Sequence, residues 1–197
     1  MVSLLSHLMN GLSLGSVYAI IALGYTMVYG IAKMLNFAHG DVIMIGAYIS
    51  FCAVHYWNLP PAIAIVVAML ACTVLGITIE RLAYKPLRQA TSLAVLITAI
   101  GMSYLLQNAA LLIWGSNTKA FPDMISMPAI SLLGGQLIIK GEAIVTIVAC
   151  IVIMIALTLF TSKTKMGKAM RVVSEDKGAA ELMGINVNGT ISLTFAI

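Results

Sequence analysis

Long apolar runs alternate with short polar segments along most of the chain. Five of these runs approach or exceed the roughly 20 residues that a helix needs to cross a bilayer. They cover residues 8–32, 42–57, 62–79, 92–114 and 143–160. A helix is the only open-chain structure that satisfies its own backbone hydrogen bonds in lipid. The pattern therefore predicts an all-α fold, a polytopic bundle of transmembrane helices with about five complete spans.

The last apolar run, ISLTFAI, occupies residues 191–197. A run this short cannot cross a bilayer as a helix, so we interpret it as the start of a sixth span. We therefore expect residues 1–197 to be a single transmembrane domain of a chain that is truncated at its C-terminus.

Composition supports a membrane protein, because 61% of the residues are hydrophobic and only 9% are charged, where a soluble domain has roughly 25% charged. The formal charge of +4 is spread over short segments between the predicted spans rather than gathered in one patch, which is the pattern of membrane orientation. We expect a lipid bilayer around the chain and no nucleic-acid partner. The three cysteines stand singly, without CxxC spacing, so we expect no metal site.

The basic residues also predict an orientation. If the spans alternate, Lys119 and Lys140 fall on one side of the membrane and the other nine of the eleven Lys and Arg residues on the opposite side. Those nine are Lys33, Arg81, Lys85, Arg88, Lys163, Lys165, Lys168, Arg171 and Lys177. Because basic loops are retained in the cytoplasm, the side with nine is predicted to be cytoplasmic and the N-terminus to lie outside.

The segment NFAHGD places Asn36, His39, Gly40 and Asp41 between the first two predicted spans. One interpretation is an ordinary cytoplasmic turn, in which Asp41 caps the helix that follows. The other is a break in the helix at membrane depth, where polar groups line a translocation path. Since no nucleophile lies beside His39 and HxD alone is a weak metal signal, we assign no catalytic or metal-binding residue.

The polar segment 162–190 contains a second candidate site, a short helix. Ser174 is predicted to cap it, with Glu175 and Asp176 in its first turn, and Gly184 suits its C-terminal end. Its apolar face would comprise Ala179, Leu182 and Met183. A helix this short is unstable alone, so it needs a docking surface, either on a partner or on its own bundle.

No GxxxxGK[ST] phosphate-binding loop occurs in the sequence. If transport is driven by ATP, separate subunits must bind it, and we expect no cofactor on this chain.

Three separated segments carry a family resemblance: LGSVYAIIALGYTMVYGIAKMLNFAHGDVIMIGAY, ERLAYKPLR with the following LITAIGMSYLLQN, and KMGKAMRVVSEDKGAAELMGINVN. Together they are similar to the permease subunits of branched-chain amino acid ABC transporters. The resemblance implies a bacterial inner-membrane protein and a second permease subunit. It also implies two cytoplasmic ATPase subunits that hold the ATP, and a periplasmic binding protein that delivers leucine, isoleucine or valine.

The resemblance also implies a role for the short helix, because such permeases insert a coupling helix with an EAA-x-x-x-G pattern into a groove of the ATPase. Ala179, Ala180 and Gly184 match this pattern, whereas Gly178 replaces its Glu. We therefore expect 162–190 to be a cytoplasmic coupling loop. Its coupling helix would use Ser174, Ala179, Ala180, Leu182, Met183 and Gly184.

Other functions stay open from the sequence. Related permeases have about eight spans and include urea and amide carriers, which these residues do not distinguish. An ion-coupled secondary transporter or an intramembrane enzyme would instead depend on His39 and Asp41.

Overall fold

Helices dominate the computed structural model, which describes residues 2–88, 90–121, 130–132, 137–139 and 141–197. Its α-helices are α1 (Val2–Ala32), α2 (His39–His55), α3 (Pro61–Ile79), α4 (Ser92–Trp114), α5 (Gly141–Lys163), α6 (Lys165–Glu175), α7 (Lys177–Leu182) and α8 (Val187–Ala196). Two short strands, β1 (Ile130–Leu132) and β2 (Leu137–Ile139), pair antiparallel between α4 and α5. The predicted all-α polytopic bundle is confirmed, with this small ribbon as an addition.

Four of the described helical segments are long and apolar enough to cross a membrane. They are Leu4–Ala32, Pro61–Leu87, Ser92–Trp114 and Gly141–Lys163, which correspond to the predicted first, third, fourth and fifth spans. At the predicted second span, α2 has 17 residues. At 1.5 Å per residue it is about 25 Å long, a few ångströms less than a hydrocarbon core of roughly 30 Å. The number of complete spans and the outside location of the N-terminus therefore stay predictions.

Glycines set the closest approaches between helices. A Cβ on Gly46 in α2 would lie 2.7 Å from Cys72 Sγ in α3, and a Cβ on Gly76 in α3 would lie 2.3 Å from the Phe195 carbonyl oxygen in α8. Small residues at such positions let transmembrane helices pack with their backbones close together. The apolar run at the end of the sequence thus packs against α3.

The polar segment 162–190 is mostly helical rather than an open loop. It contains the end of α5, the whole of α6 and α7, and the first turn of α8. Thr164 caps α6 by accepting a hydrogen bond from the Gly167 amide at 2.9 Å. The helix is amphipathic: Gly167, Met170 and Val173 are buried, whereas Lys165, Lys168 and Arg171 are exposed. Its apolar face packs on the neighbouring helices, and its charged face points outward.

The core is concentrated where the C-terminal ends of α1 and α3 meet α6, α7 and α8; we call this region the basic end. Its buried apolar residues include Ala32, Tyr84, Met170, Val173, Ala180 and Val187. The cations at the ends of α1 and α3 and those of α6 lie in this region, whereas Lys119 follows α4. Lys140 lies outside the described residues. The basic end thus gathers the residues predicted to face the cytoplasm.

Candidate functional site

The chain leaves the helical conformation between α1 and α2, over residues 33–38. Lys33 takes a left-handed backbone conformation (φ 57°) immediately after α1. Asn36 is buried, and its side-chain oxygen accepts a hydrogen bond from the Tyr84 hydroxyl at 3.0 Å. The buried side chain of Asn36 is therefore satisfied by the turn that follows α3, whereas Lys33 and Phe37 of the same break are exposed.

Asp41 is not the cap of α2 that the sequence suggested. The helix begins at His39, and its N-cap, Ala38, makes no side-chain capping bond. The buried Asp41 carboxylate instead accepts hydrogen bonds from the Ser103 hydroxyl and from Gln107 Nε2, the latter at 3.0 Å. Because the helix starts three residues earlier than expected, Asp41 lies within its first turn and bonds to α4 rather than to its own backbone.

His39 and Gly40 have different surroundings, although they are adjacent in α2. His39 packs against α1, where a Cβ on Gly24 would lie 3.1 Å from its Cε1 atom. Gly40 is exposed, and a Cβ there would meet nothing within 4 Å. The structure therefore offers no steric reason for a glycine at position 40.

A cavity of about 420 Å³ lies between α1, α2, α3 and α8 and is mostly apolar. Its lining includes a few residues with polar side chains: Asn36, His39, Ser50, Thr73 and Thr194. Asn36 and His39 thus share one cavity, whereas Gly40 and Asp41 do not line it. The volume falls in the range of small-molecule sites, and the sparse polar groups among apolar walls are typical of them.

A charge network that the sequence analysis did not single out joins α3 to α8. Glu80 is completely buried and forms an ion pair with Arg88, and Ser192 donates a hydrogen bond to its second carboxylate oxygen at 2.7 Å. Arg88 also donates to the side-chain oxygen of Asn188. Glu80 begins a π-helical turn, Glu80–Tyr84, a rare conformation that is frequent at functional sites. The sequence does contain a hint of this pair, because Glu80 directly follows a long apolar run and Arg88 lies eight residues later.

The short helix α7 is capped by Asp176 and not by Ser174, as the sequence had suggested. The Asp176 carboxylate accepts hydrogen bonds from the Gly178 and Ala179 amides at 2.8 and 3.1 Å. Ser174 lies in the last turn of α6, where its hydroxyl donates to the Arg171 carbonyl. Because α6 continues to Glu175, the first extended residue able to cap α7 is Asp176. Gly184 follows α7 with a left-handed backbone (φ 77°).

The predicted docking face of α7 divides into two parts. Ala179 is exposed, Leu182 is 93% exposed and Met183 is 64% exposed. Ala180 is 0% exposed, because it faces the core of its own bundle. Leu182 and Met183 are therefore accessible at the surface, and their contact with a partner stays a prediction. Ala180 lies on the opposite side of α7, where it packs against the bundle, and so does not belong to the exposed face.

Lys177 attaches α7 to the rest of the bundle. Its Nζ donates a hydrogen bond to the carbonyl of Ala32, the last residue of α1, at 3.0 Å. A cation at a helix C-terminus is favoured by the helix dipole. Burial, and then the charges of Arg88 and Lys33, lower the pKa of Lys177. The two ends of α7 are therefore joined to different helices, α1 through Lys177 and α8 through the following turn.

The long apolar helices and buried polar breaks define a polytopic α-helical membrane protein. Residues 7–197 match the family described as the branched-chain amino acid transport system / permease component, so the chain belongs to that family. With the helices that can span a bilayer, this membership places it among the multi-pass proteins of the bacterial cell (inner) membrane.

Curated relatives support the same family. The chain is 43% identical to the high-affinity branched-chain amino acid transport system permease protein BraD of Pseudomonas aeruginosa, over 98% of this chain and 66% of that protein. It is 42% identical to the corresponding LivH of Escherichia coli K12, with the same coverage. The probable branched-chain amino acid transport permease LivH of Methanocaldococcus jannaschii is 26% identical, over 87% of this chain and 55% of that protein. The chain therefore spans about two thirds of the length of the first two relatives. No solved structure matches it.

Proposed function

We propose that this chain is a permease subunit of an ATP-driven importer of branched-chain amino acids and forms part of the translocation path. It would act with a second permease subunit, two cytoplasmic ATPase subunits and a periplasmic binding protein. The observation that carries the proposal is the match over 98% of the chain to relatives named as permeases of this transport system.

The cavity beside Asn36 and His39 suits such a substrate. A branched-chain amino acid has an apolar side chain but a charged ammonium and carboxylate, so it needs mostly apolar walls with a few hydrogen-bonding groups. The cavity has this composition. Weak polar contacts also favour transport, because a strongly charged cage would retain the zwitterion instead of releasing it.

The coupling step is assigned to α7. Its exposed face, Leu182 and Met183, would dock into a groove of an ATPase subunit, while Ala180 packs on the bundle. A displacement of α7 would then reach α1 through Lys177 and α3 through α8 and its contacts with Glu80. Two rigid connections let one short helix move two membrane helices together.

Nucleotide binding is assigned to the partner subunits and not to this chain. ATP binding and hydrolysis would move those subunits, and the docked helices would move with them. The chain itself would then act as the moving path, without a catalytic residue, a metal or a cofactor of its own.

The decisive test is uptake of labelled leucine by proteoliposomes that contain the assembled complex, with loaded binding protein outside and ATP inside. We expect uptake only when ATP and binding protein are both present. Uptake by the chain alone, driven by an ion gradient without ATP, would identify a secondary transporter instead. Selective uptake of urea or an amide would keep the permease but change its substrate.

A matched pair of variants tests whether α7 docks on the ATPase. Met183→Ser should reduce ATPase co-purification by about tenfold, since burying a methionine at an interface contributes roughly 1.5–3 kcal/mol. Met166→Ser, which changes an exposed methionine of α6, is the control and should leave co-purification unchanged. Equal retention of the ATPase by both variants would show that α7 is not the docking helix.

A further inference from the structure

A second pocket lies at the basic end, beside the α1–α2 break, and none of the described residues lines both it and the cavity around Asn36 and His39. Its volume is about 350 Å³, and it is formed by the end of α1, the start of α4, the segment after α3 and α7. Three cations line it: Lys33, Arg88 and Lys177. None of the described residues that line it is acidic.

The positive charge of this pocket is only partly compensated. Arg88 is paired with the buried Glu80, which is the one ion pair within the described residues. Lys177 donates to a neutral carbonyl, and Lys33 is exposed. The lowered pKa of Lys177 reflects its burial close to the other two cations. A bound anion would relieve this repulsion and satisfy the remaining donors.

Part of the remaining pocket wall is apolar and comes from two helices that are long enough to span a membrane. Tyr29 comes from α1, and Val95 and Leu96 come from the first turns of α4. The first turn of α4 also directs its peptide dipoles toward this region, which favours negative charge. An anion bound here would therefore have apolar surface beside it, where α1 ends and α4 begins.

The geometry points to a binding site for the phosphate group of an anionic membrane lipid. The two unpaired lysines hold the phosphate, and the apolar wall receives the glycerol and the first carbons of the acyl chains. A volume of about 350 Å³ holds the phosphate, the glycerol and the first acyl carbons, and the rest of each acyl chain stays in the bilayer. Basic pockets between membrane helices bind anionic headgroups in this manner. Because the site touches Lys177 and the end of α1, a lipid there would also brace the attachment of α7.

The test is lipid binding by the intact protein in detergent, followed by native mass spectrometry and by thermal unfolding at increasing lipid concentration. Phosphatidylglycerol should remain bound and raise the unfolding temperature, with an affinity at least tenfold higher than that of phosphatidylcholine. Inorganic phosphate at the same concentration should have no effect, because it has no chain to bury. An equal effect of inorganic phosphate would overturn the assignment to a lipid, and equal affinity for both lipids would overturn the site.

Variants locate the binding. Lys33→Asn removes a charge and suits the left-handed backbone at this position, and Lys177→Met removes the other unpaired charge. Each should weaken phosphatidylglycerol binding by about fivefold, the effect of one basic residue near an anionic surface. Lys168→Asn, at an exposed cation of α6 outside the pocket, should change it by less than about twofold.

Equal weakening by Lys168→Asn would show general attraction to the basic end, and the proposal would be wrong. Unfolding temperatures without lipid separate loss of binding from loss of folding. If Lys33→Asn lowers the unfolding temperature without lipid, the proposal is tested by phosphatidylglycerol binding to Lys177→Met instead. The outcome is independent of the transported substrate, so it does not depend on the proposed function.

Discussion

The two ends of the bundle are held together by different chemistry. At the basic end, buried side chains form an ion pair and hydrogen bonds, as Glu80 does with the nearby Arg88 and with Ser192, which is 112 residues away in the sequence. At the other end, aromatic rings make the contacts: Tyr48 of α2 stacks on Trp114 of α4, with ring centroids 4.7 Å apart. We call this region, the ends of α2 and α4 with residues 115–121, the aromatic end.

One cation lies close to the rings of the aromatic end among the residues that the structure describes. Lys119 Nζ lies 5.5 Å from the centroid of the Phe51 ring, and Phe51 also stacks on His55. Aromatic rings are enriched where membrane helices reach the interface. The aromatic end therefore has the composition of an interfacial belt, whereas the basic end has the directional contacts through which an ATPase subunit would act under the proposed function.

Glu80→Gln, at the basic end, should reduce the stability of the protein more than any other variant proposed here. The substitution leaves Arg88 without its counter-charge in a buried site, which costs about 3–5 kcal/mol. We expect a lower unfolding temperature and a lower yield of folded protein. Arg81→Gln is the control, because Arg81 is adjacent but exposed, and it should behave like the parent protein. A Glu80→Leu/Arg88→Leu double variant should recover much of the loss; if Glu80→Gln alone were neutral, the network would not hold the basic end together.

Gly76→Ala should have an intermediate effect, because its Cβ would lie 2.3 Å from the Phe195 carbonyl oxygen. Separating α3 from α8 by a methyl group should cost about 1–3 kcal/mol. Gly101→Ala in α4 is the matched control, since a Cβ there meets nothing within 4 Å. The control should be neutral or more stable by up to about 1 kcal/mol, because alanine favours the helix. Chemical unfolding of both variants measures the difference, and a destabilised Gly101→Ala with an unaffected Gly76→Ala would contradict the close packing of α3 on α8.

Trp114→Phe, at the aromatic end, should cause the smallest loss of stability of the three variants. It removes the hydrogen bond from Trp114 Nε1 to Cys52 Sγ, at 3.2 Å, and part of the stacking on Tyr48. The expected loss is about 0.5–1.5 kcal/mol, with ATPase co-purification unchanged. Trp57→Phe, at a 64% exposed tryptophan after α2, should lose less stability. Loss of ATPase co-purification in Trp114→Phe would remove the functional distinction between the two ends.

Much of the fold follows from local sequence. The number of consecutive apolar residues predicts where helices can span a bilayer, because each helix satisfies its own backbone and needs only length. α4, Ser92–Trp114, has the bounds that the sequence predicted. The sequence also predicted that the cations gather at one end, because their positions between successive spans determine on which side they lie. The family motifs could be recognised from the sequence as well, because each is one continuous stretch of residues.

The position of α7 was only partly predictable. Ser174 and Asp176 are both good capping residues, and the local sequence does not decide between them. The packing of α6 decides it, because Met170 and Val173 are buried and carry the helix on to Glu175. Which alanine faces outward then follows from where α7 begins, so Ala180 is buried while Ala179 is exposed.

Only the tertiary structure decided the partners of the buried polar groups. Asp41 bonds to Ser103 and Gln107, and Glu80 bonds to Ser192. Partners separated by 60 or more residues leave no periodic pattern in a sequence, and any of several polar groups could have satisfied each carboxylate. The choice is made when helices pack, because a charge removed from water must find its partner among the side chains that the packing brings close to it.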